Sequence, residues 1–196
     1  ICVKNDCLPY AVYERYWKDM ESLLQLPGKA HRKTVQEEFT IPADALPLAS
    51  SIGPATGIDP AKLQGIVIDN RQAIAKGNWI SGEGLKGYIG YDYVYAPAKS
   101  GATIRFEWKA EKEGRIELRL AYQPHENRGN NVPVQVQVGA TTATLRVNMQ
   151  AKPAIDGTFV TLGEFAAKPG DVVAVTLSTE NAGGNVHADA LQILPR

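Results

Sequence analysis

From residue 65 onward the chain alternates apolar and polar positions. Ile66-Val67-Ile68 opens the pattern. Ile104, Phe106 and Trp108 alternate with Arg105, Glu107 and Lys109, and Ile116, Leu118 and Leu120 with Glu117, Arg119 and Ala121. Val132, Val134, Val136 and Val138 alternate with Pro133, Gln135 and Gln137, and Leu145, Val147 and Met149 with Arg146 and Asn148. A period of two sends successive side chains to opposite faces of a strand, so each run carries one face for a core and one for water. Further strands are predicted over 158–165, 171–179 and 186–194. Turn residues punctuate them: Glu113-Gly114, Gly139, Asp156-Gly157, Pro169-Gly170 and Gly183-Gly184. About nine strands with no helix between them predict an all-β, jelly-roll-like antiparallel β-sandwich over residues 65–196.

The first third reads differently. Val12, Tyr13, Tyr16, Trp17, Met20, Leu23 and Leu24 recur at helical spacing over 9–26, with Glu14, Arg15, Lys18, Asp19 and Glu21 largely opposite. Pro27-Gly28 ends that helix, within an N-terminal helical segment of residues 1–39. Pro42, Pro47, Pro54 and Pro60 punctuate residues 40–64, whose apolar residues follow no sustained period, so this stretch is expected to be an extended linker. The Ile1 start and the lack of a visible signal peptide suggest a fragment whose helix is the tail of an upstream domain.

With 44% hydrophobic and 21% charged residues in 196, the chain can build a full core. Lys+Arg and Asp+Glu are both 21, so nothing attracts it in bulk to nucleic acid or to an acidic membrane. No apolar run approaches the roughly 20 residues of a membrane span. Cys2 and Cys7 are either unpaired thiols or a small disulfide loop, and without a nearby His they do not suggest zinc.

Catalytic signatures are missing: no phosphate-binding loop, no dinucleotide fingerprint and no nucleophile elbow. Gly82, Gly84, Gly87 and Gly90 lie in an all-β region and read as a turn. His31, His125 and His187 lack metal-ligand spacing, so neither catalytic nor metal-binding residues are assigned. Three stretches carry recognition chemistry instead. Tyr91, Tyr93 and Tyr95 alternate within 88–95, so on a strand their rings share one face, either as a wall for stacking on sugar rings, with Trp79, or as core. Asn78, Asp92 or Arg71 would supply polar partners. The loop 122–131 gathers Tyr122, His125, Glu126, Asn127, Arg128, Asn130 and Asn131, groups that either bind or cap turns. Tyr122, His125 and Arg128 are also the one local set that could serve a polysaccharide hydrolase or lyase. In 186–194, His187 and Asp189 share the face of Leu191 and Ile193, so Asp189 needs a buried partner, with Arg128, Tyr122 or a backbone loop as candidates.

Several separated motifs resemble one family: Gly65-Ile-Val-Ile-Asp-Asn70, Gly77-Asn-Trp79, Asn127-Arg-Gly-Asn-Asn-Val-Pro-Val134, Val147-Asn-Met-Gln150, Asp156-Gly-Thr-Phe-Val-Thr-Leu-Gly163 and Val186-His-Ala-Asp-Ala-Leu191. Together with the tyrosine stretch they are similar to the golvesin and xanthan-lyase type C-terminal domain, a carbohydrate-binding-like module. That resemblance implies a non-catalytic accessory sandwich whose partners are a polysaccharide or oligosaccharide and an enzyme domain upstream. The expected location is extracellular or periplasmic, in a bacterium. Cys2-Val-Lys-Asn-Asp-Cys7 and Tyr13-Glu-Arg-Tyr-Trp17 are similar to the end of a bacterial FAD-dependent oxidoreductase domain. FAD would then belong upstream, with no cofactor in this chain. The expected ligand-binding residues are Trp79, Tyr91, Tyr93, Tyr122, His125, Arg128 and Asn130, with Asp189 and Asn131 as structural polar groups. The alternative is a structural domain that packs on its enzyme.

Overall fold

The computed structural model describes residues 57–196 and two short strands near the N-terminus, Cys2–Val3 (β1) and Asp6–Cys7 (β2). Those two pair antiparallel, with Cys2 in register with Cys7. They belong to one unit, Ile1–Gly53, and the remainder to a second, Pro54–Arg196. The predicted helix over 9–26 and most of the predicted linker lie outside the described residues.

The second unit is built from the alternating runs. Its strands are Ile66–Asp69 (β3), Ile74–Lys76 (β4), Ile80–Gly82 (β5), Tyr93–Ala96 (β6), Thr103–Lys109 (β7) and Gly114–Ala121 (β8). Val132–Val138 (β9), Thr141–Val147 (β10), Phe159–Ala167 (β11), Val172–Ser178 (β12), Val186–Ala188 (β13) and Ala190–Pro195 (β14) complete them. A five-stranded sheet runs in the order β10-β9-β12-β7-β4 and a four-stranded sheet in the order β11-β8-β14-β3. All their pairings are antiparallel.

Period two decides what fills the space between the sheets. Ile104, Phe106, Val134, Val136, Val175 and Leu177 enter from the five-stranded side. Leu118, Leu120, Leu162, Leu191 and Ile193 enter from the four-stranded side. The outward residues Arg115, Glu117 and Arg119 of β8 are charged, and one of them is covered. Glu117 is buried beneath Arg119, Thr161 and Arg196, all hydrogen-bonded to its carboxylate. The Arg119 bond leads the effects that hold its pKa down at about 2.

A third sheet, β13-β6-β5, turns its Val94, Val186 and Ala188 toward the same core. The predicted strand over 186–194 is therefore two strands. β13 pairs with β6, whereas β14 pairs with β3 and β8, and the chain changes sheets at Asp189. Every residue of 186–194 is buried, because the segment is covered on both faces. The last part of the Pro-rich stretch packs on this body. Ile58 bridges Ile89, and Ile58 and Leu63 lie against Ile89, Ala121, Phe159 and Ala190.

Candidate functional site

The small sheet presents its other face to a cluster of rings and a guanidinium. Across it His187, Tyr95 and Ile80 are in register, as are Tyr93 and Gly82. Residues directly opposite in an antiparallel pair share a face, so Tyr93, Tyr95 and His187 stand together. Tyr93 is buried at 5% exposure, with the His187 ring 4.2 Å away and Tyr88 edge-on at 5.9 Å. The Leu85 amide donates to its hydroxyl at 3.2 Å. Gly82 makes this packing possible, since a Cβ there would stand 2.7 Å from the Tyr93 ring. Tyr95 is only half-buried, and the Arg128 guanidinium lies 5.4 Å from its ring centre.

The tyrosines thus divide between core and surface. Tyr91 is not on the strand at all. Gly90, at φ +73°, turns the chain, and a side chain there would strike Asp69 Oδ2 at 2.3 Å. Tyr91 instead lies under the Arg71 guanidinium, 4.7 Å from its ring centre. Arg71, in turn, pairs with buried Asp92 at 3.1 Å. Asn70 Nδ2 and Ser81 Oγ also donate to Asp92, at 2.9 and 2.8 Å. Burial pushes the Asp92 pKa up, but the bonds from Arg71, Asn70 and Ser81 outweigh it and leave it below the usual carboxylate value. Asp92 and Arg71, expected beside the tyrosine wall, are consumed in holding this corner.

Arg128 comes from the loop between β8 and β9. Its backbone is locked to 185, with Gly129 N donating to Asn185 O at 2.9 Å and Asn185 N to Asn127 O at 3.0 Å. Gln150 Nε2 donates to the Glu126 and Arg128 carbonyls, both at 3.0 Å. The Arg128 side chain is 5% exposed and donates from Nη1 to Asn127 Oδ1 at 2.7 Å. His125, Glu126, Asn127, Asn130 and Asn131 are exposed along the loop. His125 Nδ1 accepts from Asn127 N at 3.3 Å, and Asn131 Nδ2 donates to Asn181 O at 3.3 Å.

Asp189 is buried, and of its expected partners the structure supplies the backbone one, with the Gln123 side chain added. Ile89 N donates to both carboxyl oxygens at 3.1 Å and Gln123 Nε2 to Oδ2 at 3.0 Å. Neither Arg128 nor Tyr122 reaches it. Gln123 is the second residue of the recognition loop, so Asp189 does tie that loop to the β13–β14 corner. Burial raises its pKa to about 8, so the carboxyl is mostly protonated at neutral pH. His187 Nδ1 accepts from Gln123 N at 3.4 Å, which puts the ring proton on Nε2. Burial, aided by the Arg128 charge, holds the His187 pKa well below the ordinary imidazole value.

Two further expected stacking rings are placed elsewhere. Tyr122 is 2% exposed in the sandwich core, its hydroxyl 3.2 and 3.0 Å from the Asn148 and Ala151 carbonyls. Its period-two neighbours Leu118 and Leu120 point the same way, which is why the ring goes inward. Trp79 is partly buried against the core, and its indole N–H is shared between the Lys76 and Thr103 carbonyls, both at 3.1 Å. Tyr122 also touches a shallow cleft of about 310 Å³ between the β10 and β11 edges, lined by Arg146, Asn148, Lys152 and Thr161 among others. The residues brought together are Tyr95, Arg128 and Asn127, with His125 and Asn130 exposed on the same loop. Tyr95 and Asn127 had a signal in the sequence, as neighbours of the expected residues, whereas Gln123 and Asn70 had none.

A family model described as Golvesin C-terminal domain matches residues 66–195. Among solved structures the chain is similar to a Paenibacillus xanthan lyase, with 26% identity and a TM-score of 0.61 over 66% of this chain and 13% of that one. It is also similar in fold to a family 35 carbohydrate binding module from Clostridium thermocellum, with 18% identity and a TM-score of 0.50 over 67% of this chain and 98% of that one. No curated protein matches it significantly.

Proposed function

Since the chain belongs to the golvesin C-terminal domain family through residues 66–195, we propose that it is a non-catalytic, carbohydrate-binding-like accessory module that meets saccharide at the Tyr95–Arg128 ledge. The observation that carries this reading is the ledge itself: a half-buried ring beside a guanidinium that is bonded to the Asn127 amide, with His125 and Asn130 exposed on the same loop. Sugars need this combination, because their C–H faces seek aromatic surface and their hydroxyls need directional partners.

The likeness to a segment of a xanthan lyase supports a module attached to a larger enzyme. In this reading the polysaccharide-active or flavin-dependent chemistry resides in an upstream domain, and the protein works outside the cytoplasm. Among the described residues no helix is long and apolar enough to cross a membrane. A second role is favoured by Ile74 and Ile80, the exposed large hydrophobics on short edge strands, which suit packing against an attached domain.

The test is titration calorimetry and a glycan array on the whole chain, with Tyr95→Ala and His125→Ala alongside. Binding of at least one polysaccharide, weakened by both substitutions, is expected. Failure of every polysaccharide to bind overturns the proposal.

A further inference from the structure

We infer that Arg128 is the subsite for a carboxylate on the saccharide, so that the module prefers uronic-acid-type glycans to neutral ones. This rests on the ledge being a glycan site. Among the described residues Arg71, Arg105, Arg115, Arg119 and Arg196 each pair with an Asp or Glu. Of the two that pair with none, Arg146 is exposed and donates to the Asn131 carbonyl, whereas Arg128 is buried. Its one hydrogen-bond partner is the neutral Asn127 amide, and its Nε is buried with no acceptor.

The surroundings do not supply the missing charge. Tyr93 and Tyr95 are phenols, and His187 is kept neutral. The Asp189 carboxyl is bonded to Ile89 and Gln123. His187 Nε2, which carries the ring proton, is a second buried donor without an acceptor and feels the Arg128 charge. A buried guanidinium without a counter-ion is costly. Water would satisfy a stray N–H but would leave the charge uncompensated. A planar carboxylate matches the guanidinium fork in both shape and charge. The Asn127 amide bonded to it and the half-buried Tyr95 ring under it suit a polyol rather than a bare anion.

The experiment is calorimetry of the whole chain with four probes: a glucuronate-containing oligosaccharide, its methyl ester, the matching neutral glucan and sodium acetate. The acid should bind about tenfold or more tighter than the ester or the glucan, the range of one charge-assisted hydrogen bond. In Arg128→Met that preference should vanish, and Arg128→Lys should recover part of it. Equal binding of acid and ester overturns the inference and leaves the carbohydrate-module reading standing. Acetate binding as tightly as the glucuronate overturns it too, as the mark of a free-anion site. Binding of no glycan at all removes the underlying reading and this inference with it. Should Arg128→Met fail to fold, the acid–ester comparison on the unaltered chain still decides.

Discussion

The interior between the two large sheets and the end capped by the small sheet obey different rules. Between the sheets the space is filled by Val, Leu, Ile and Phe side chains, and the strands around it satisfy their backbone groups by pairing. At the capped end Asn70, Asp92, Gln123, Arg128, His187 and Asp189 are all buried. Six buried polar side-chain atoms among the described residues lack a partner. Five of them, on Asp69, Asn70, Gln123, Arg128 and His187, lie at this end, and the sixth is on Gln192 of β14. Unmet polar groups are expensive, so their gathering in one place marks where the fold gives up stability, at the end where we place the glycan site. The large sheets hold the molecule together, and the cap holds its chemistry.

That contrast can be broken most directly in the interior. Phe106, fully buried on β7, should cost about 3–5 kcal/mol when changed to Ala, measured by urea unfolding. A change of under about 1 kcal/mol would mean the interior is not the close-packed layer described. At the cap, Asp92→Ala should cost about 2 kcal/mol, because Asn70 and Ser81 lose their acceptor while Arg71 is partly rehydrated.

Two buried acids, one at the cap and one on the outer face of β8, should respond to pH in opposite senses. Asp189 has a folded pKa near 8 against an ordinary 3.8. Between those values the unfolded chain has lost a proton that the folded chain keeps, so stability falls as pH rises from about 4 to 8. Asp189→Asn should flatten that fall in denaturation series at pH 5 and pH 8. Glu117 has a folded pKa near 2 against 4.5, so its contribution is present above pH 4.5 and lost as pH falls toward 2. Glu117→Gln should remove that acid-side slope, and an unchanged slope would place the titrating group elsewhere. The smallest stability effect is expected at the ledge. Tyr95→Ala should change stability by under about 1 kcal/mol while weakening glycan binding, and a loss as large as that of Phe106→Ala would make Tyr95 a core residue.

The strand runs were readable because alternation is a local property. Val132, Val134, Val136 and Val138 point inward in any antiparallel sheet with one buried face. The site was readable only in part. Arg128 and His125 stood out in a dense polar loop and Asp189 on an otherwise apolar face, but which tyrosine would be covered did not. Gly90 breaks the strand just before Tyr91, Gly82 makes room for Tyr93, and Tyr95 is left at the rim. Those outcomes depend on residues far apart in the chain.

The order of apolar and polar residues by itself determined an antiparallel two-layer body, because side-chain direction in a strand depends only on position parity. Tertiary structure alone decided that the run over 186–194 changes sheets at Asp189, that Gln123 and Ile89 hold that carboxyl, and that Arg128 is buried beside Tyr95 without a counter-charge. The physical reason is that burial, and hence the strength of a charge or a hydrogen bond, is set by everything packed around a group and not by its neighbours along the chain.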